Sequence, residues 1–267
     1  MDSHLENARE LYIDLLRDIL INDIYRDPPQ QGSIVRHLSR KIRGKNEALN
    51  YDGTRREKGL DWPSVAHSMI GKTRMNNLRD ICVDVIRSEI PGDLIETGVW
   101  RGGACIFVRG ILKAYGDTGR TVWVADSFEG LPPPDGKKYA ADKGDKHYKM
   151  GFLAISMEEV QENFRRYGLL DDQVRFLKGW FRDTLPTAPI DRLAVLRLDG
   201  DMYESTMDGL VSLYHKVSPG GYVIVDDYHA IAACKAAVHD FLDKEAPHEV
   251  VQIREIDGTG VFWKRTV

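Results

Sequence analysis

Two short apolar runs in the sequence end in pairs of acidic residues. The run "VLRL" is followed by Asp199 and Asp201, and the run "VIV" is followed by Asp226 and Asp227. Carboxylates this close together repel one another unless a positive charge lies between them. Aspartate oxygens suit magnesium, and two or three aspartates with water molecules can complete its octahedral shell. The pattern therefore predicts a divalent-cation site. The alternative is that these aspartates cap helices, and it fits Asp201 best because "YEST" follows it.

A glycine-rich turn lies further upstream, in "IETGVWRGG" at 95–103. Glu96 lies at the end of a predicted strand, and Gly98, Gly102 and Gly103 lead into a predicted helix. Glycines let the backbone approach a ligand closely, and the N-terminus of the helix then faces that ligand. The spacing is not the G-x-G-x-x-G of dinucleotide-binding folds, and a purely structural turn is the alternative.

A third acidic position is Asp126, in "VWVADSFEG" at 122–130. It ends the second predicted strand, and a carboxylate there commonly accepts hydrogen bonds from two ribose hydroxyls. A turn-capping role is the alternative. Together with the glycine-rich turn, Asp126 indicates a ligand that carries a ribose and need not carry a pyrophosphate.

The elements that must position these residues alternate along the chain. From residue 93 onward, predicted strands alternate with predicted helices, which is typical of a parallel sheet with helices on both faces. The last two strands, "VVQIREI" and "GVFWK", are separated by "DGTG" alone, so they must be antiparallel. Upstream, the spacing predicts helices over 5–25 and 73–88. The first is amphipathic, packs on the body of the protein or on a partner subunit, and has an apolar face formed by Leu11, Leu15, Leu16, Ile19 and Leu20.

Composition limits the class of protein. The 267 residues carry a formal net charge of -4, which gives no basic field for nucleic acid. The three cysteines are far apart and form neither a disulfide framework nor a zinc-binding spacing, which favours the cytoplasm. The N-terminal segment has acidic residues early and no continuous apolar stretch, so we expect neither a signal peptide nor a membrane span.

Several long strings then resemble one family. They are "IETGVWRGGACIFVRGILKAYG", "TVWVADSFEGLP", "RYGLLDDQVRFLKGWFRDTLP", "LAVLRLDGDMYESTMDGL" and "SPGGYVIVDDY", together with the N-terminal "LYIDLLRDILINDIYRDPP". They are similar to the macrocin O-methyltransferase (TylF/MycF/NovP) family, whose members methylate sugar hydroxyls of antibiotics. The resemblance covers most of the chain from about residue 62 onward.

The resemblance implies a fold and two cofactors. The fold is the class I S-adenosylmethionine-dependent methyltransferase (Rossmann-like) α/β fold. Its sheet is mostly parallel and seven-stranded, with a C-terminal antiparallel hairpin strand. An N-terminal helical or lid extension at 1–61 would precede a methyltransferase domain at 62–267. The cofactors would be S-adenosylmethionine and Mg²⁺, and we expect either a homodimer or a homotetramer.

The resemblance also implies roles for individual residues. Glu96, Thr97, Gly98, Val99, Trp100 and Gly102 would line the methionine side of the cofactor, Asp126 the ribose, and Ser127, Phe128, Gly179 and Trp180 the adenine. Ser68 and Met69 would form an upstream contact. Asp199, Asp226 and Asp227 would bind the metal, and Asp199 would also contact the cofactor and act as the base.

The implied reaction is O-methylation of a deoxysugar hydroxyl in an antibiotic glycoside. The family pattern is least clear at 32–61 and 135–152, where a lid over the acceptor is expected. A catechol-type methyltransferase, a non-catalytic binding protein and a pyridine-nucleotide reductase are the competing hypotheses. From their sequence context, we expect His147 to be exposed and His229 to be a solvated loop residue.

Overall fold

The structure is a computed structural model that describes residues 3–30 and 50–266. The predicted lid segment at 32–61 therefore lies partly outside the described residues. The helices are α1 (Ser3–Leu20), α2 (Gly53–Glu57), α3 (Gly71–Arg87), α4 (Gly103–Tyr115), α5 (Met157–Arg166), α6 (Phe181–Thr184), α7 (Tyr203–Leu213) and α8 (Ala232–Lys244). The strands are β1 (Asp93–Thr97), β2 (Val122–Asp126), β3 (Val174–Lys178), β4 (Leu193–Leu198), β5 (Val217–Val225), β6 (Arg254–Glu255) and β7 (Val261–Lys264).

The seven strands form one sheet in the order β3-β2-β1-β4-β5-β7-β6. Strands β1 to β5 pair in parallel, whereas β7 is antiparallel to β5 and to β6. The predicted mostly parallel sheet and its C-terminal hairpin are confirmed. Because the parallel strands share one direction, their carboxyl ends meet at a single edge.

Two apolar clusters cover the two faces of the sheet. One cluster joins side chains of α1, α3 and α4 to one face, and the other packs α7 and α8 against the opposite face. Strand β4 is buried at every position, as a central strand covered by helices on both sides should be. One of those buried residues is Arg197, a charged residue in an otherwise apolar strand.

Helix α1 differs from its prediction. It ends at Leu20, and its buried stripe is Ile13, Leu16 and Leu20, which pack into the same cluster as α4. Leu11 and Leu15 are 71% and 54% exposed, so the prediction of one shared face is wrong for them. Residues 13, 16 and 20 lie on one side of the helix, whereas Leu11 and Leu15 lie towards the opposite side.

The segment "VSPGG" forms the start of β5. Helix α7 ends at Leu213, and β5 begins at Val217. Gly220 has a φ of +83°, and the pairing of β4 with β5 shifts register between Leu193 and Val195. The proline and glycines thus form an irregular strand entry. None of the helices in the described ranges is both long and apolar enough to cross a membrane.

Candidate active site

A cavity of about 410 Å³ opens at the carboxyl ends of the strands. Most of the predicted site residues line it, namely Ser68, Met69, Glu96, Gly98, Val99, Trp100, Asp126, Ser127, Gly179, Trp180, Asp199, Asp226 and Asp227. Thr97, Gly102 and Phe128 lie beside it without lining it. Thr97 is the last residue of β1, Gly102 is the N-cap of α4, and Phe128 packs near Phe176.

The turn after β1 brings two strand ends into close contact. Gly98 has a φ of +86°, and a Cβ placed on it would lie 1.9 Å from the carbonyl oxygen of Asp199. Only glycine fits this position, because it tolerates both the left-handed backbone and the close approach. The backbone of Gly103 then donates a hydrogen bond to the carbonyl of His67 at 3.0 Å. The start of α4 is thereby tied to the segment that carries Ser68 and Met69.

Asp126 is a partly buried carboxylate that organises the neighbouring backbone. Its Oδ2 accepts from the backbone N–H of Val99 at 2.8 Å, and its Oδ1 accepts from that of Phe128 at 2.7 Å. Burial raises the pKa of Asp126 despite these bonds. Each oxygen has a second lone pair, so the capping role and a ribose-binding role are compatible.

The predicted metal-binding aspartates converge. One carboxylate oxygen from each of Asp199, Asp226 and Asp227 lies within 4.8 Å of the others. Burial, and next the nearby Asp226, raise the pKa of Asp199. Burial and the charges of Asp201, Asp199 and Asp226 raise the pKa of Asp227 well above its usual value. Three mutually repelling oxygens of this kind fit a hard divalent cation, which binds carboxylates and relieves their repulsion.

Two arginines that the sequence interpretation missed lie against this cluster. Arg197 is 3% exposed and forms ion pairs with Glu96, Asp226 and Asp199, the last at 2.8 Å. Burial alone would lower the pKa of Arg197, but the three carboxylates raise it well above the usual value. A charged residue inside the apolar run "VLRL", two positions before Asp199, is the signal that could have identified it.

Arg74 is the second missed residue, and it comes from α3. Its guanidinium pairs with Asp226, with Asp257 at 3.0 Å, and with the carbonyl of Gly59 at 3.2 Å. Asp257 belongs to the turn between β6 and β7, so Arg74 joins the aspartate cluster to the hairpin. Its position among other polar residues of an amphipathic helix gives no sequence signal for this role.

Glu96 has both carboxylate oxygens engaged. Arg197 pairs with one, and the thiol of Cys105 donates to the other at 2.8 Å. Burial raises the pKa of Glu96 to about 7, and Arg197 opposes the shift. Cys105 is a further residue that the sequence interpretation missed, since a single cysteine in an apolar helix is ordinarily packing.

Asp201 and the loop at 135–152 form another wall of the cavity. Asp201 has a φ of +60°, and burial followed by the charge of Asp199 raises its pKa to about 7. His147 lines the cavity and pairs with Asp145 at 2.6 Å, so the expectation of an exposed histidine is wrong. The loop folds back because Asp142 caps α7, a contact that local sequence cannot reveal. His229 is exposed, as expected.

The mouth of the cavity is aromatic. Trp62 and Phe152 lie with ring centroids 4.8 Å apart, and they join the segment before α3 to the loop before α5. The indole of Trp100 donates to the carbonyl of Phe152 at 3.0 Å. Trp62 is 43% exposed, so part of this apolar surface is open to solvent beside the cavity.

The fold and this site define a class I S-adenosylmethionine-dependent methyltransferase. The calicheamicin methyltransferase CalS11 has the same fold, with a TM-score of 0.60 and 15% identity over 88% of this chain and 95% of that one. The macrocin O-methyltransferase (TylF) family matches residues 9–265. The chain belongs to this family and is an O-methyltransferase.

Individual relatives are similar along almost the whole chain. The structure of the O-methyltransferase NovP has a TM-score of 0.88 and 50% identity, covering 97% of this chain and all of that one. A rhamnosyl-tetracenomycin C 4'-O-methyltransferase of Streptomyces olivaceus is 52% identical over 98% of this chain and 95% of its own length. The mycinamicin III 3''-O-methyltransferase of Micromonospora griseorubida is 50% identical over 96% of this chain and 97% of its own.

Proposed function

We propose that this enzyme transfers a methyl group from S-adenosylmethionine to a hydroxyl of a deoxysugar in an antibiotic glycoside. The observation that carries the proposal is a single cavity that joins a nucleoside-type cradle to a carboxylate cluster. The names of the relatives support the acceptor class, because they specify rhamnosyl-tetracenomycin, novobiocin and mycinamicin substrates. The class of acceptor is thus supported by three different aglycones.

The methyl donor would occupy the half of the cavity at the ends of β1 and β2. Asp126 lies at the carboxyl end of β2 with spare hydrogen-bonding capacity, which suits two ribose hydroxyls. Gly98 and the start of α4 would face the methionine part. Gly179 and Trp180, which follow β3, would flank the adenine. Ser68 and Met69 line the same cavity from the segment before α3.

Asp199, Asp226 and Asp227 would hold a divalent cation, for which we propose Mg²⁺. Five carboxylates and two guanidiniums meet at this end of the cavity. The carboxylates are those of Glu96, Asp199, Asp201, Asp226 and Asp227, and the guanidiniums are those of Arg74 and Arg197. Burial and neighbouring carboxylates raise the pKa values of Glu96, Asp199, Asp201 and Asp227, so a cation or a positively charged sulfonium that binds here would stabilise their ionised forms. When bound, the cation would polarise the acceptor hydroxyl and stabilise developing negative charge on its oxygen.

Asp199 is the residue we propose as the base. It lies directly after β4, partly exposed to the cavity, and its burial raises its pKa and hence its affinity for a proton. In the proposed reaction the acceptor O–H gives its proton to Asp199 while its oxygen bonds to the methyl carbon and the carbon–sulfur bond breaks. Holding donor and acceptor in one cavity lowers the entropic cost of this displacement.

Two further parts of the proposal concern the assembly and its location. The exposed apolar residues of α1, Leu5, Leu11, Tyr12 and Leu15, support a homo-oligomer in which this helix contacts another subunit. Light scattering would test this homo-oligomer, since a monomer at micromolar concentration would contradict it.

We also propose a cytoplasmic location, where the three free cysteines stay reduced.

The experiment that tests the function is calorimetric titration with S-adenosylhomocysteine, followed by acceptor screening with SAM. Micromolar binding and turnover of rhamnosyl or other deoxysugar glycosides is the expected result. A simple catechol serves as the matched flat acceptor. Exclusive turnover of catechol would replace the glycoside assignment with the catechol alternative, and no binding of S-adenosylhomocysteine would overturn the methyltransferase chemistry.

A further inference from the structure

We propose that Arg197 is a positioning residue that couples cation binding at the aspartates to methyl-donor binding at Glu96. The inference rests on the proposed function, because it assigns the two ends of the cavity to the two ligands. It adds a prediction that the function alone does not make: each ligand should tighten the binding of the other.

The position of Arg197 in the sheet places it between the two ends. It is aligned with Glu96 across the β1–β4 ladder, so the two side chains project from the same face of the sheet. Its Nη1 contacts both Glu96 and Asp199, the latter at 2.8 Å, and its Nη2 contacts Asp226. One buried guanidinium therefore binds Glu96 at the donor end of the cavity and both Asp199 and Asp226 at the cation end.

The other contacts of these carboxylates fix the frame around Arg197. Asp226 is held on its second oxygen by Arg74, which is itself anchored by Asp257 at 3.0 Å. Glu96 is held on its second oxygen by the thiol of Cys105 at 2.8 Å. The guanidinium of Arg197 is thus shared among three acids, with Nη1 serving Glu96 and Asp199 and Nη2 serving Asp226, so it binds none of them through two parallel N–H groups.

A bound cation would change which carboxylates the guanidinium of Arg197 pairs with. A divalent ion that takes oxygens of Asp199 and Asp226 competes with the guanidinium for them and leaves it to pair with Glu96. A guanidinium that serves one carboxylate can bind it in two-pronged geometry, which fixes both groups. A fixed Glu96 is preorganised for the donor, so the donor loses less freedom on binding.

The sign of the coupling distinguishes this route from direct electrostatics. A divalent cation and a positively charged donor repel each other through space, which would weaken donor binding. Coupling through Arg197 acts in the opposite direction. By thermodynamic linkage, the donor must tighten cation binding by the same factor.

The test is calorimetric titration of the full-length protein with S-adenosylmethionine, which carries the sulfonium charge, without acceptor, in saturating Mg²⁺ and in EDTA. We define the affinity ratio as the affinity for the donor in Mg²⁺ divided by the affinity in EDTA. For wild-type protein this ratio should be about five or more, within the usual range of coupling between sites. Arg197→Lys replaces the fork with a point charge that cannot bridge three acids, so the ratio should fall to about one.

Arg109→Lys is the matched control, since it alters a buried arginine that pairs with Asp171. It should retain the wild-type ratio. A wild-type ratio of one or below overturns the coupling but leaves the proposed function standing, whereas no binding in either condition overturns the function itself. A wild-type ratio in Arg197→Lys also overturns the coupling.

A second variant covers the case in which Arg197→Lys does not fold. Glu96→Gln keeps the shape of the side chain but removes the charge that pairs with Arg197. Its affinity should fall in both conditions and its ratio should fall to about one. A folded Glu96→Gln protein with the wild-type ratio would contradict the proposal.

Discussion

The two halves of the cavity are built by opposite means. The donor half, at the ends of β1 and β2, uses glycine backbone and a carboxylate, Asp126, that is already hydrogen-bonded to two backbone N–H groups. The cation half, at the ends of β4 and β5, gathers carboxylates that repel one another and balances them with buried arginines. The polar groups of the donor half are therefore paired without a ligand, whereas the carboxylates of the cation half repel one another until a positive ligand binds.

The largest expected effect concerns the base in the cation half. Asp199→Asn should lower turnover by about 10²–10⁴-fold, the usual range for loss of a general base, while S-adenosylhomocysteine still binds. Steady-state kinetics and calorimetry measure the two effects separately. Asp80→Asn, at a carboxylate whose side chain is 67% exposed on α3, is the control and should retain wild-type turnover. Full turnover in Asp199→Asn would remove the assigned base.

The contact between the two halves should be the most sensitive to added volume. Gly98→Ala places a methyl group 1.9 Å from a carbonyl oxygen of Asp199, so the free energy of unfolding should fall by about 3 kcal/mol or more. Gly116→Ala is the matched control, because Gly116 also has a positive φ but has open space around it. It should cost about 1–2 kcal/mol. Equal losses in urea unfolding would show that the close approach is not a constraint.

The donor half should show a pH dependence through His67. Burial, and then Arg101 and Arg166, lower the pKa of His67 to about 4, below its ordinary value of 6.5. The folded protein therefore disfavours the charged imidazole. The stability from keeping it neutral is fully present above pH 6.5 and is lost as pH falls from 6.5 towards 4, by up to about 2 kcal/mol.

Urea unfolding of wild type and His67→Gln between pH 7.5 and 4.5 measures this term. The difference in free energy of unfolding between wild type and His67→Gln should shrink as pH falls. The side chain of His67 also hydrogen-bonds the hydroxyl of Tyr167 at 2.6 Å, so Tyr167→Phe is a control that removes the bond without removing the titrating group. A difference that does not vary with pH would contradict the assignment.

The smallest expected effect lies in the loop that walls the cation half. Asp142 is 2% exposed and accepts hydrogen bonds from the backbone N–H groups of Tyr203 and Glu204 at 2.7 and 3.0 Å. Asp142→Ala removes this cap of α7 and should cost about 1–2 kcal/mol. KM for the acceptor should rise, while the affinity for S-adenosylhomocysteine stays near wild type. A loss of donor binding instead would show that the loop serves the donor half.

The sequence predicts the frame of the fold and the meeting of acidic residues at the ends of its strands. Alternating strands and helices and the short "DGTG" connection are local patterns, and they specify the parallel sheet and its antiparallel hairpin. Acidic residues at strand ends are also local signals, which is why the convergence of Asp199, Asp226 and Asp227 is predictable from topology. Gly98 is recognisable for the same reason.

The remaining contacts depend on tertiary structure. Arg74 is 152 residues from Asp226, and Asp142 is 61 residues from Tyr203, so no local pattern connects either pair. The buried face of α1 is misjudged because Leu11 and Leu15 have the same hydrophobicity as the residues that turn inward. Which stripe is buried depends on how the helix meets α4, and hydrophobicity alone does not encode it.

Product analysis by mass spectrometry tests cation-assisted methylation of a sugar hydroxyl most directly. The purified protein, S-adenosylmethionine and a deoxysugar glycoside are incubated with Mg²⁺ or with EDTA. We expect a product heavier by one methylene group, with the methyl on a sugar oxygen, and little product in EDTA. Methylation on the aglycone, or equal product formation with and without divalent cations, would contradict it.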